Sequence, residues 1–229
     1  MVEDAIKLCF FVRPEIFQGD FLCPKGDMDF MSKNVSWMVK VAMLGALATV
    51  LMLFEFPLPF IAPPFYEMDL SEVPVLIGAF ALGPLAGVII ELLKILLNLV
   101  INGTDTYFVG EIANFAMGLV FVLPASLIYK RTKTKKTAIV GLAVGSFSMV
   151  VLGCFINAYV MIPTYSVLYG MPLDAIVGMA AKIHSFIDTL FEFVLVCVAP
   201  FNLLKGIIVS IVTILVYKPL RRLIEKIEK

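Results

Sequence analysis

The run Val73-Pro74-Val75-Leu76-Ile77-Gly78-Ala79-Phe80-Ala81-Leu82-Gly83-Pro84-Leu85-Ala86-Gly87-Val88-Ile89-Ile90-Glu91-Leu92-Leu93-Lys94-Ile95-Leu96-Leu97-Asn98-Leu99-Val100-Ile101 is apolar except for Glu91, Lys94 and Asn98. About 20 apolar residues in a helix cross a bilayer, so this run is too long for one crossing. Leu82-Gly83-Pro84 in its middle offers a break. It reads as two shorter helices in tight succession, and that division sets the helix count of the whole chain.

Four further apolar runs flank it: Trp37 to Phe56, Ile112 to Tyr129, Ala138 to Ile162 and Phe201 to Tyr217. With 61% hydrophobic and only 16% charged residues, the chain reads as an all-α integral membrane protein with six transmembrane helices. The connection Leu173 to Val198 holds an apolar stretch, Leu190 to Ala199, read either as an extra half-helix or as the extended start of the sixth. Residues 1–35 are mixed in charge and poorly periodic, and are expected to be a poorly ordered cytoplasmic extension to a single membrane domain over 36–229. They lack the ordered parts of a signal peptide, and Met31 is an alternative translation start.

Lys and Arg orient the bundle. Fifteen of the eighteen fall in residues 1–40, in the loop Lys130 to Lys136, or in the tail from Lys218 onward. Six spans put all three on one side, so both termini are expected in the cytoplasm. The loop anchors the bundle, and the basic, amphipathic tail suits anionic headgroups. Formal net charge is zero, and no nucleic-acid partner is expected.

Between the first and second helices stands Phe56-Pro57-Leu58-Pro59-Phe60-Ile61-Ala62-Pro63-Pro64-Phe65-Tyr66-Glu67-Met68-Asp69-Leu70-Ser71-Glu72-Val73-Pro74. Five prolines forbid continuous helix there. Its aromatics, Met and carboxylates, without Lys or Arg, suit a gate over a binding site better than a tether.

Polar residues inside spans mark function by default. Asn202 and Lys205 are three apart and share a helix face; they read as hydrogen-bond donors to a ligand or as a structural pair. Asn157 lies at similar depth and reads as pocket lining or interhelical glue. Glu91 and Lys94 have the spacing to neutralise each other, and Asn98 extends their face. Ala42 and Ala46 form a small-xxx-small face that serves either the bundle itself or a partner protein.

Cys9, Cys23, Cys154 and Cys197 show no metal or redox spacing, and His184 has no second ligand nearby, so no metal site is expected. Phosphate-binding and common hydrolytic motifs are missing. An intramembrane enzyme using Glu91 and Lys94 or His184 is the alternative of another class.

The loop 56–74, Phe80-Ala81-Leu82-Gly83-Pro84-Leu85-Ala86-Gly87, Asn114-Phe115, Asn157 and the Asn202-x-x-Lys205 pair together resemble the riboflavin-specific S component of energy-coupling-factor (ECF) vitamin transporters, over about residues 36–225. The resemblance implies a six-helix S-component bundle in the bacterial plasma membrane that binds riboflavin on the extracellular side. Asn157, Asn202 and Lys205 would hydrogen-bond the flavin or its ribityl chain, and Phe65, Tyr66, Glu67 and Met68 would close over it. Ala42 and Ala46 would dock on a transmembrane coupling subunit whose two ATPases use ATP; the chain itself would be no enzyme and would hold no cofactor. Glu72 stands where the family pattern suggests Asp. A related S component for another vitamin or a purine-like ligand is the runner-up.

Overall fold

The computed structural model describes residues 25–104, 106–168 and 170–226, with side chains from 34 to 217. Cys9, Cys23 and the expected disorder of residues 1–24 lie outside the described residues, as do the side chains of the basic tail. By its internal contacts the chain divides into Met1–Val35 and Ser36–Lys229. The fold and site below concern the second unit.

Helices dominate. In chain order they are α1 (Lys25–Met52), α2 (Glu72–Leu82), α3 (Pro84–Asn102), α4 (Val109–Thr132), α5 (Lys135–Ile156), α6 (Ile162–Leu168), α7 (Leu173–Ala181), α8 (Leu190–Phe193) and α9 (Ala199–Lys226). Strands β1 (Phe56–Pro57) and β2 (Glu67–Met68) pair antiparallel within the proline-rich loop. Five helical stretches are long and apolar enough to cross a membrane: Asn34–Met52, Pro84–Asn102, Val109–Thr132, Lys135–Leu168 and Leu190–Tyr217.

The break between α2 and α3 falls at the expected place. Gly83 has φ 104°, a conformation that a Cβ penalises, and Pro84 starts α3, where its missing N–H costs nothing. The two helices are unequal, 11 and 19 residues long. With 11 residues, α2 is about 16 Å long at 1.5 Å per residue, shorter than a membrane crossing. Every residue from Glu72 to Phe80 is buried, because α3, α4 and α9 surround it. A helix apolar all round belongs in a core.

Two other helices are longer than their apolar runs suggest. α5 continues through a widened π turn, Asn157–Met161, into α6. The stretch from Leu190 is the extended start of the last helix, running through α8 and a second π turn, Val194–Val198, into α9. Each π turn ends two residues before a proline, Pro163 or Pro200. A proline inside a helix removes one N–H and crowds the carbonyl four residues back. Here those carbonyls belong to Tyr159 and Val196, inside the widened turns, and the extra residue per turn relieves the clash.

α4 packs closely on α5. A Cβ at Gly141 would lie 2.6 Å from the Ala125 carbonyl oxygen, and one at Gly145 would collide with that of Phe121. Large apolar side chains such as Leu92, Leu96, Phe147, Phe155, Ile211 and Leu215 point outward and stay exposed. A soluble domain would not carry so many; lipid is their natural solvent.

Candidate binding site

A cavity of about 210 Å³ lies beneath the proline-rich loop. The loop contributes Glu55, Phe65, Tyr66, Glu67 and Asp69, and Glu72 opens α2 beside them. α4 presents Gly110, Ala113, Asn114, Met117 and Gly118, spaced as one helical face. Met149, Ile156, Asn157, Met161 and Tyr165 come from α5 and its continuation, and Phe201, Asn202 and Lys205 from α9.

Two turns shape the loop, Leu58 to Ile61 and Pro63 to Tyr66, with Pro59 and Pro64 at their second positions, and aromatic packing holds the loop down. The Tyr66 ring lies 4.8 Å from Phe65, 5.6 Å from Phe201 and 6.3 Å from Phe193, while Phe65 meets Tyr165 edge-on at 6.3 Å. Such pairs add about 0.5–1.5 kcal/mol each beyond area burial. Tyr66 Oη donates to Asn157 Oδ1 at 2.6 Å, and Asn157 Nδ2 donates to the Gly153 carbonyl at 2.8 Å. Burial pushes the Tyr66 hydroxyl well above its ordinary pKa, so it stays a donor.

The second latch is ionic. Lys205 Nζ donates to Asp69 Oδ2 at 2.8 Å, and Asp69 Oδ1 accepts the Ser71 N–H at 2.7 Å. Burial opposes ionisation of Asp69, but the Lys205 and Lys94 charges and these two hydrogen bonds outweigh it, holding its carboxyl well below the usual range.

Below the cavity, Lys94 Nζ sits 2.8 Å from Glu72 Oε1 and 2.7 Å from Glu91 Oε1, with all three side chains essentially inaccessible. Gly118 makes room: a Cβ there would collide with Glu91 Oε1. The expected Glu91–Lys94 pair is present, yet it is not self-contained. Glu72 is its third member and carries the triad to the cavity wall.

The structure brings together Asn157, Asn202, Lys205, Phe65, Tyr66 and Glu67 in one lining. Met68 is not part of it. Successive residues of a strand face opposite ways, so exposed Glu67 faces the cavity while Met68 is 2% exposed in a core with Ile162, Phe193 and Phe201. Asn202 is buried, and its Nδ2 has no hydrogen-bond partner among the described residues. A buried amide left unpaired is costly, and this one lines a cavity. Ala42 and Ala46 lie outside the site on an exposed face of α1. The His184 ring lies 5.8 Å from that of Phe186, tilted by 43°, and is no part of the lining. Among the described residues no cluster could hold a metal ion.

Sequence reasoning assigned no role to Glu55, Asp69, Asn114, Met117, Met149 or Tyr165 in this lining. The α4 face was legible from its i, i+3, i+4, i+7 spacing of small residues, Asn and Met. The loop carboxylates were not, because no spacing rule relates residue 69 to residue 205.

A family model described as "ECF transporter, substrate-specific component" matches residues 36–217. The chain is 35% identical over 190 residues to the riboflavin transporter RibU of Staphylococcus aureus (strain TCH60), covering 83% of this chain and 93% of that one. It is 33% identical over 194 residues to the riboflavin transporter FmnP of Bacillus subtilis (strain 168), covering 84% and 96%. A solved structure, described as the S component of a bacterial ECF transporter, aligns with a TM-score of 0.64 at 35% identity, covering 83% of this chain and 98% of that one.

Proposed function

Since the chain belongs to the family of ECF transporter substrate-specific components, we propose that it captures riboflavin at the outer face of the bacterial plasma membrane and delivers it inward with partner subunits. The observation that carries this reading is the cavity itself. Unpaired Asn202 Nδ2, the Lys205 ammonium and the Asn157 amide converge beneath an aromatic loop. Isoalloxazine is flat and apolar with polar edges, and a ribityl chain needs several donors and acceptors; such a lining supplies both.

Asn202 Nδ2 is a hydrogen-bond donor left uncommitted among the described residues. Lys205 retains two further N–H donors beyond its Asp69 contact. Phe65, Tyr66 and Glu67 form the lid. Pockets for ligands of drug size hold about 300–1,000 Å³, so the loop lifts to admit a flavin and settles again on it. The alternative enzyme reading loses ground, because Lys94 and Glu91 are locked in a triad with no exposed atom to react.

The topology within this reading has six membrane-embedded helices, with α2 the short central one, in a single domain over 36–229. Both termini lie in the cytoplasm, by the distribution of Lys and Arg. The chain supplies no ATP hydrolysis of its own; a transmembrane coupling subunit and two ATPases do, and the exposed Ala42 and Ala46 face is where the coupling subunit docks.

The test is the visible absorption spectrum of the protein freshly purified in detergent, with any released compound identified by mass. Stoichiometric riboflavin is the expected result. Colourless protein that also fails to quench added riboflavin fluorescence overturns it.

A further inference from the structure

Glu72, Glu91 and Lys94 form a buried set that ligand capture does not use, and its charges do not balance. Lys94 Nζ lies 2.8 Å from Glu72 Oε1 and 2.7 Å from Glu91 Oε1. Lys205, the ammonium that lines the cavity, is 2.8 Å from Asp69. Three acids, Asp69, Glu72 and Glu91, thus share two ammonium groups. Fully ionised, they would leave one uncompensated negative charge inside an apolar bundle.

A buried carboxylate without a counter-charge is costly enough that the group takes up a proton instead. Two carboxyl groups held in one site behave the same way, because a proton on one spares both from ionising together. Here both Oε1 atoms touch the same nitrogen, and both close on the bare Gly118. A Cβ there would collide with Glu91 Oε1 and lie 3.1 Å from Glu72 Oε1.

The hydrogen bonds decide which acid holds the proton. Lys94 donates to Glu72 Oε1. Its contact with Glu91 is as short but lacks hydrogen-bond alignment, so both Glu91 oxygens and Glu72 Oε2 have no donor among the described residues. An ionised carboxylate can only accept, whereas a protonated one brings a donor of its own. A proton on Glu91 therefore neutralises the acid that the ammonium does not hydrogen-bond, and offers an O–H to the Glu72 carboxylate.

A metal cation fits poorly. The Lys94 ammonium already stands against both acids and repels a second positive charge, and among the described residues no cluster offers a ligand set.

We infer that the triad is an intramembrane proton-binding site at neutral pH, with Glu91 as the acid, Glu72 as the carboxylate that accepts its hydrogen bond and Lys94 as the counter-charge. α4 faces the site with Gly118, which does not ionise, and the loop faces it with Asp69, which Lys205 neutralises. Glu72 also lines the cavity and Glu91 does not, so the proton's route to water runs through Glu72. None of this depends on which ligand the cavity takes.

The experiment is infrared difference spectroscopy of the purified full-length chain in detergent at pH 8.5, without flavin, comparing the unaltered protein with Glu91→Gln. Glu55, whose carboxyl burial and the Glu67 and Asp69 charges push up to about 7, has ionised at that pH. The expected result is a carboxylic-acid C=O band in the unaltered protein that disappears in Glu91→Gln. Glutamine keeps the shape of the neutral acid, so the melting temperature of Glu91→Gln should not fall. Glu91→Gln with Glu72→Gln strands the Lys94 charge and should lower it clearly. Absence of the acid band, or a band that survives Glu91→Gln, overturns the inference. So does a Glu91→Gln variant that yields no monodisperse protein or melts as early as the double variant. These outcomes leave riboflavin capture untouched, and failure to bind riboflavin leaves the proton site standing.

Discussion

Lys205 Nζ and Asp69 Oδ2 lie 2.8 Å apart although 136 residues separate them in the chain. The contact ties the last helix to the loop over the cavity and uses a residue that sequence reasoning assigned to the ligand. The two roles are compatible, because an ammonium has three donors and Asp69 takes one. On the proposed reading the loop and the ligand share Lys205, and occupancy of the cavity is then coupled to closure of the loop.

Lys205→Ala removes that shared donor and strands a buried carboxylate. Losing one partner of a buried ion pair costs about 3–5 kcal/mol. A clear drop in melting temperature is expected, with flavin affinity lower by at least about tenfold. Calorimetry and fluorescence quenching check the two effects. Unchanged affinity in both Lys205→Ala and Asn157→Ala would sink the site assignment.

Tyr66→Phe keeps the ring contacts with Phe65 and Phe201 but leaves Asn157 Oδ1 without its 2.6 Å donor. An unsatisfied buried acceptor costs about 1–3 kcal/mol. The cost falls on the closed loop, so flavin dissociation is expected to speed up about tenfold or more while association changes little. Stopped-flow measurement of both rates is the check. Equal slowing of association would show that the hydroxyl does something other than hold the lid.

Glu55 adds a pH dependence to stability. Burial and the neighbouring Glu67 and Asp69 charges push its carboxyl up to about 7 in the folded chain, from 4.5 ordinarily. Between those values the folded chain holds a proton that the unfolded chain has released, so its contribution falls as pH rises through that window and is level above it. Glu55→Gln should raise the melting temperature at pH 8 and leave it unchanged at pH 4. Melting curves across that range give the answer, and a variant less stable at pH 8 contradicts the sign.

Lys94→Met leaves Glu72 and Glu91 buried without a counter-charge, and the expected cost is about 3–5 kcal/mol. Adding Glu72→Gln and Glu91→Gln should recover most of it, since a neutral buried set avoids the desolvation penalty. The yield and melting temperature of monodisperse protein in detergent report the result. Recovery with neither glutamine would place the damage in packing instead of charge.

Ala42→Trp with Ala46→Trp alters an exposed face of α1 remote from the cavity lining. Flavin uptake by cells carrying the complete transporter should be abolished, while the purified subunit still quenches riboflavin. Loss of binding as well would mean that this face serves the bundle itself.

The sequence by itself determined where the backbone could and could not be helical. Hydrophobic runs, the Leu82-Gly83-Pro84 break and the five loop prolines act over a few residues, and their physics is local: missing N–H groups, restricted φ and the transfer of apolar side chains. The position of Asn157, Asn202 and Lys205 in one lining was legible because buried polar groups in apolar helices are costly enough to stand out. The tertiary structure alone decided the rest. It placed α2 at the centre of the bundle, turned Met68 into the core, widened two turns ahead of Pro163 and Pro200, and joined Asp69 to Lys205 and Glu72 to Lys94. Those outcomes depend on which surfaces meet, and a charge finds its partner through space, across separations that no local spacing encodes.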